Sequence, residues 1–141
     1  FAHSLEQYLK GFDLTVAAMA TPAALERVAF EAAEDARLDG AVLAEFRIAP
    51  LLFEPHGIPA EAAVEAMLAG LARSPLPSGL ILCGMRHQFD GQVERTGELA
   101  ARYLGRGVVG FDLAGPEAGF PPARHAATLA RVREAGVPIT L

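Results

Sequence analysis

Apolar, strand-like runs begin near residues 41, 80, 108 and 137, and a helical stripe fills each gap between them. That alternation constrains the fold more than any other feature of the chain. A strand, a helix and a second strand give parallel neighbours joined by right-handed crossovers. The segments share no repeat motif, which sets a solenoid aside. A βα barrel and an open four-stranded parallel sheet remain. A closed eight-stranded barrel takes roughly 250 residues, so these 141 residues hold only part of one. A half-barrel leaves its edge strands and one sheet face without cover.

The elements follow from local signals. Residues 4–12 predict a helix carrying Leu5, Tyr8, Leu9 and Phe12 on one face. Thr21-Pro22 is a helix start, with threonine as N-cap and proline in the first turn. Leu25, Val28, Ala29, Ala32 and Ala36 make its apolar stripe, and Asp39-Gly40 stops it. Ala41 to Ile48 reads as a strand. Pro50 and Pro55 mark a loop, and Pro59 opens a helix carrying Val64, Met67, Leu68 and Leu71. Leu80 to Met85 is continuously apolar, like a strand buried on both faces. A helix from about Val93 to Tyr103 ends at Gly105, and the Val108 strand follows. Pro122 starts the last helix, Gly136 caps it, and residues 137–141 begin another strand.

Composition removes several function classes. Lys and Arg number 12 against 17 Asp and Glu, for a net charge of −5. Nucleic acid and anionic membrane surfaces call for a basic face, so neither is expected as a partner. No apolar run is long enough to span a bilayer. One cysteine, Cys83, excludes an internal disulfide and fits a reducing cytoplasm. The first residue is Phe1 rather than Met, so a preceding segment is expected.

The polar residues gather at strand ends, where βα folds place their chemistry. The first strand ends in Arg47, after Glu45. The second ends in Arg86-His87, and the third in Asp112, Gly115 and Glu117. A glycine there lets a ligand approach the backbone closely. The plain reading of Arg47 and Arg86 is pairing with Glu45, Asp112 or Glu117 to hold the loops, since arginine is a clamp rather than an acid or base. None of the four histidines (His3, His56, His87, His125) shows metal-ligand spacing, so the chain by itself offers no metal site and no catalytic set. His87 reads as a loop histidine bonded to backbone, His125 as a surface residue, and Cys83 as an inert buried thiol.

The run Val108-Val109-Gly110-Phe111-Asp112-Leu113-Ala114-Gly115-Pro116-Glu117 closely resembles a strand of the adenosine deaminase family. Four other blocks resemble that family in order. Ser4-Leu5, Tyr8-Leu9 and Phe12-Asp13 are similar to its hydrophobic lid helix, and Thr21 to Ala29 to the next helix. Ala44 to Pro50 carries a glutamate-x-arginine-x-x-proline pattern. Ile81 to His87 keeps a methionine-arginine-histidine triplet. The resemblance covers essentially the whole chain and implies that residues 1–141 are the central portion of a catalytic (β/α)8 barrel. It also implies a zinc-dependent hydrolysis of adenosine to inosine and ammonia, a step of purine salvage.

The resemblance assigns roles to individual residues. Gly115 matches the glycine whose backbone N–H bonds a purine ring nitrogen. Leu5, Tyr8, Leu9 and Phe12 match the apolar cover over the ribose end of the site, and Met85 and Leu52 match pocket-lining residues. Arg47, Arg86, Asp112 and Glu117 are expected as structural support. The family's zinc ligands and its general acid/base are expected ahead of Phe1 and beyond Leu141. On this reading the 141 residues alone are inactive, and the rest of the barrel is the partner they need. A non-catalytic binding module and a related adenine or aminodeoxyfutalosine deaminase are the alternatives. The apolar helix at residues 4–12, with Lys10 its single basic residue, favours a nucleoside over a phosphorylated substrate.

Overall fold

Strand β1 (Ala44–Ile48), β2 (Ser78–Met85), β3 (Val108–Ala114) and β4 (Ile139–Thr140) pair in chain order, all parallel. The computed structural model describes residues 4–140, without the side chains of Leu5, Glu6 and Asp90. His3, Leu141 and the Leu5 side chain therefore lie outside the described residues. Each strand is the neighbour of the next in sequence. A doubly wound sheet reverses its strand order partway, whereas a barrel does not. The observed order is thus that of four consecutive units of a (β/α)8 barrel.

With right-handed crossovers, helices α4 (Ala60–Leu71), α5 (Asp90–Tyr103) and α6 (Ala126–Glu134) fall on one face of the sheet. Alternation along each strand then sorts the side chains. Ile48, Leu80, Leu82, Phe111 and Leu113 join the buried core under the helices. The intervening Arg47, Cys83, Asp112 and Thr140 meet on the opposite face.

Helix α3 (Pro22–Leu38) begins as its sequence requires. The Thr21 hydroxyl accepts from the Ala24 N–H at 3.1 Å, and Pro22 sits in the first turn. Of the expected stripe, Leu25 and Ala29 are buried against α4 together with Ala33, whereas Ala32 and Ala36 are half-buried and Val28 is exposed. The two helices touch backbone to backbone: a Cβ on Gly70 would lie 2.2 Å from the Glu26 carbonyl oxygen.

Four local expectations change. The helix expected over residues 4–12 is two short helices, α1 (Leu5–Leu9) and α2 (Phe12–Ala18), interrupted at Lys10-Gly11. Glycine is a poor helix former, and the apolar stripe is not buried deeply enough to override it, since Tyr8 and Phe12 are 58% and 45% exposed. The first strand starts at Ala44 rather than Ala41, because its partner β2 starts at Ser78 and leaves Ala41 to Leu43 nothing to pair with. The proline-marked loop is a 3-10 helix, Pro50–His56, that buries Leu51 and Phe53. The last helix starts with a 3-10 turn, Pro122–His125, before α6.

Candidate functional site

The C-terminal ends of β2 and β3 lie side by side, with Met85 paired to Ala114. Gly115 follows at φ +98°, a backbone conformation that L side chains rarely adopt. A Cβ there would sit 2.9 Å from His87 Nδ1 and 3.4 Å from Met85 Cε. Gly115, Met85 and His87 are therefore packed together at the strand tips. The His87 ring stands edge-on to Phe120 at 6.1 Å, and the Arg124 guanidinium lies 5.4 Å from the centre of the Phe120 ring. Phe120 and Arg124 are parts of this rim that the sequence did not mark. The only local sign was the Gly119-Phe120-Pro121 turn.

A second group lies just below, on the face away from the helices. Arg47 Nη1 is 3.3 Å from Asp112 Oδ2, and Arg47 Nη2 donates to Thr140 Oγ1 at 3.4 Å. Strands two apart are separated by about 9.6 Å in a flat sheet. One side chain bridging β1 to β3 and β4 shows that this face is concave. Of the three acids expected to pair with Arg47, Asp112 is the one it meets. The Cys83 thiol points at Asp112 Oδ2 from 3.9 Å. Burial, helped by the Asp112 charge, pushes that thiol up to about 12, so it stays a thiol.

Arg86 departs from its expected pairing. It is buried, and its Nη2 donates to the Leu113 carbonyl at 2.7 Å rather than to a carboxylate. Its Nε is buried without a hydrogen-bond partner. His125 also departs from expectation. It is 2% exposed instead of lying on the surface, because the 3-10 turn tucks its ring under the end of β2. Its Nε2 lies 2.9 Å from the Arg86 carbonyl oxygen.

The expected cover is less closely held. The Tyr8 and Phe12 rings meet edge to face at 5.3 Å, and Leu9 is half-buried. Leu52 is half-buried on the 3-10 helix that follows β1. Glu117 is exposed, and its carbonyl accepts from the Phe120 N–H at 3.0 Å.

Among the described residues, no three His, Cys, Asp or Glu gather where they could hold a metal ion. Cys83 and Asp112 approach each other, but two groups do not make a ligand set. The described residues therefore do not fit a metal centre of their own. A hollow of about 210 Å³ lies between α5 and α6, lined by Glu94, Gly97, Thr128, Arg131 and Val132. It is on the helical side, and its charges are the Glu94–Arg131 pair at 2.8 Å and Glu98. The strand tips, where backbone and polar side chains converge, are the better candidate site. No helix among the described residues is long and apolar enough to cross a membrane.

The family model described as adenosine deaminase matches residues 2–141. Adenosine deaminases of Mycobacterium ulcerans and Mycobacterium marinum are 45% identical to this chain over 131 residues, covering 86% of it and 36% of the relative. Among solved structures, an Arabidopsis ADAL protein complexed with IMP aligns with a TM-score of 0.88 at 26% identity, over 98% of this chain and 44% of its own. An amidohydrolase from Burkholderia ambifaria with bound zinc aligns with a TM-score of 0.79 at 26% identity, over 85% of this chain and 34% of its own. The chain thus spans about a third of the length of the curated relatives it matches.

Proposed function

Because the chain belongs to the adenosine deaminase family, we propose that residues 1–141 are the central portion of a deaminase barrel, the part that holds the purine. The reaction is hydrolysis of the 6-amino group of adenosine, giving inosine and ammonia. Relatives named as deaminases and amidohydrolases do not favour a non-catalytic binding module.

The observation that carries this reading is the Gly115 turn. Its backbone sits at a strand tip with no Cβ, against Met85 and His87. A backbone N–H there serves as a donor to a ring nitrogen, and Met85 and Leu52 supply apolar walls. Leu5, Tyr8, Leu9 and Phe12 close the ribose end. Arg47 and Asp112 hold the concave face, and Glu117 supports the β3–α6 turn.

On this reading the complete enzyme would carry zinc, which would supply an activated water for the hydrolysis. Its ligands and the general acid/base belong to polypeptide other than these residues. The chemistry that remains here is binding and orientation. The apolar cover, with Lys10 its single basic residue, favours adenosine over a nucleotide, although the Arabidopsis relative was solved with IMP. A single buried cysteine fits a reducing cytoplasm.

A coupled ammonia-release assay tests the reading. The complete polypeptide carrying this chain is expected to turn over adenosine in preference to adenine. The 141 residues alone, supplied with zinc and adenosine, are expected to release none. Clear turnover by the 141 residues, or a preference for the free base, refutes the assignment.

A further inference from the structure

Resting on the deaminase reading, we infer that Arg86 is a positioning residue that fixes the Gly115 amide from behind the sheet. Leu80 and Leu82 face the helices, and Arg86 continues that parity, so its guanidinium lies on the helical side rather than in the site. It is 6% exposed. Its backbone N–H donates to the Ala114 carbonyl at 2.8 Å, and its Nη2 donates to the Leu113 carbonyl at 2.7 Å. One residue thereby holds both carbonyls that immediately precede Gly115. The Arg86 carbonyl in turn lies 2.9 Å from His125 Nε2, which ties the same point to the turn before α6.

Burial alone does not account for an arginine here. A buried guanidinium that meets a carbonyl and leaves Nε without a partner costs desolvation that an apolar side chain of similar size would avoid. What the charged donor adds is a short, directional bond that fixes a peptide plane. Met85, Arg86 and His87 brace Leu113, Ala114 and Gly115, the first two residues through hydrogen bonds and Gly115 through the His87 and Met85 side chains. The peptide leading into the +98° turn is set from behind, and the amide direction of Gly115 is set with it.

The test uses the complete enzyme, with KM and kcat for adenosine and inhibition constants for inosine and for its deaza analogues, in which one ring nitrogen is replaced by CH. The analogue whose affinity Gly115→Ala changes least identifies the nitrogen that Gly115 reads. Arg86→Lys keeps the charge but not the reach or the planar fork. It is expected to raise KM about tenfold with kcat within about twofold, the signature of lost binding. It is also expected to weaken inosine about as much while leaving that analogue within about twofold. Equal weakening of both ligands shows a merely structural arginine and overturns the inference, as does no change in either.

If Arg86→Lys fails to fold, His125 carries the same test. His125→Gln keeps a donor for the Arg86 carbonyl and is expected to retain the parental KM. His125→Ala is expected to show the selective loss, and equal weakening of both ligands overturns the inference. A parent enzyme that deaminates no purine overturns the functional reading first, before any variant is compared, and this inference falls with it.

Discussion

The end of β3 and the α1–α2 pair are two walls of one proposed site, and they are built in opposite ways. Gly115 is held by neighbours distant in sequence: the Arg86 guanidinium donates to Leu113, 27 residues further along the chain, and His87 packs on the glycine itself. Helices α1 and α2 have five and seven residues, and none of the α2 side chains is fully buried. Helices that short are marginal without tertiary support. The Ser4 cap and the Tyr8–Phe12 contact are local, while Val16 and Met19 give α2 a partial footing on the core. One wall is pre-organised by packing, and the other keeps apolar surface available to meet a ligand. A site that reads a ring nitrogen through a backbone amide needs the first wall rigid, because a misplaced donor loses its bond.

The comparison is broken most severely at the core under the rigid wall. Phe111→Ala removes a fully buried ring and is expected to destabilise the chain by about 3–5 kcal/mol, read from denaturant unfolding. A loss below about 1 kcal/mol shows that β3 is not the rigid side.

Gly115→Ala comes next. The strain of a positive φ alone is about 1–2 kcal/mol, and the contact at His87 adds to it. A fall of about tenfold or more in kcat/KM for adenosine is expected in the complete enzyme. Unchanged kinetics dissolve the distinction between the walls.

On the open wall, Tyr8→Ala is expected to change unfolding free energy by less than about 0.5 kcal/mol because Tyr8 is 58% exposed. It is expected to raise KM without a matching loss of stability. A large stability loss makes that wall structural too. The smallest effect belongs to Cys83. With its thiol pushed up to about 12, it is expected to resist iodoacetamide in the folded chain at mildly alkaline pH and to react once the chain unfolds. Rapid labelling of the folded chain shows that the concave face opens.

Much of this architecture is legible along the chain because it depends on neighbours three or four residues apart. The cap at Thr21, the proline after it and the apolar period of α3 act within one helical turn. The strands at Leu80 and Val108 are apolar enough to be read alone. The break at Gly11 was not legible, since the i, i+3, i+4 pattern of residues 4–12 continues through it. Nor was the late start of β1, which depends on where β2 begins. In the site, the run ending in Gly115 carried both its turn and its family resemblance. The burial of His125 and the choice of Leu113 as the Arg86 partner left no trace in local pattern.

Alternation, parity and glycine placement along the chain are enough to specify four parallel βα units and the strand tip where a ligand fits, because backbone geometry repeats over a few residues. Which side chains meet there is another matter. Arg47 finds Thr140 across 93 residues, and Arg86 lies behind the sheet rather than on a carboxylate. Such contacts are settled by the curvature and register of the assembled sheet, which no short window of sequence encodes.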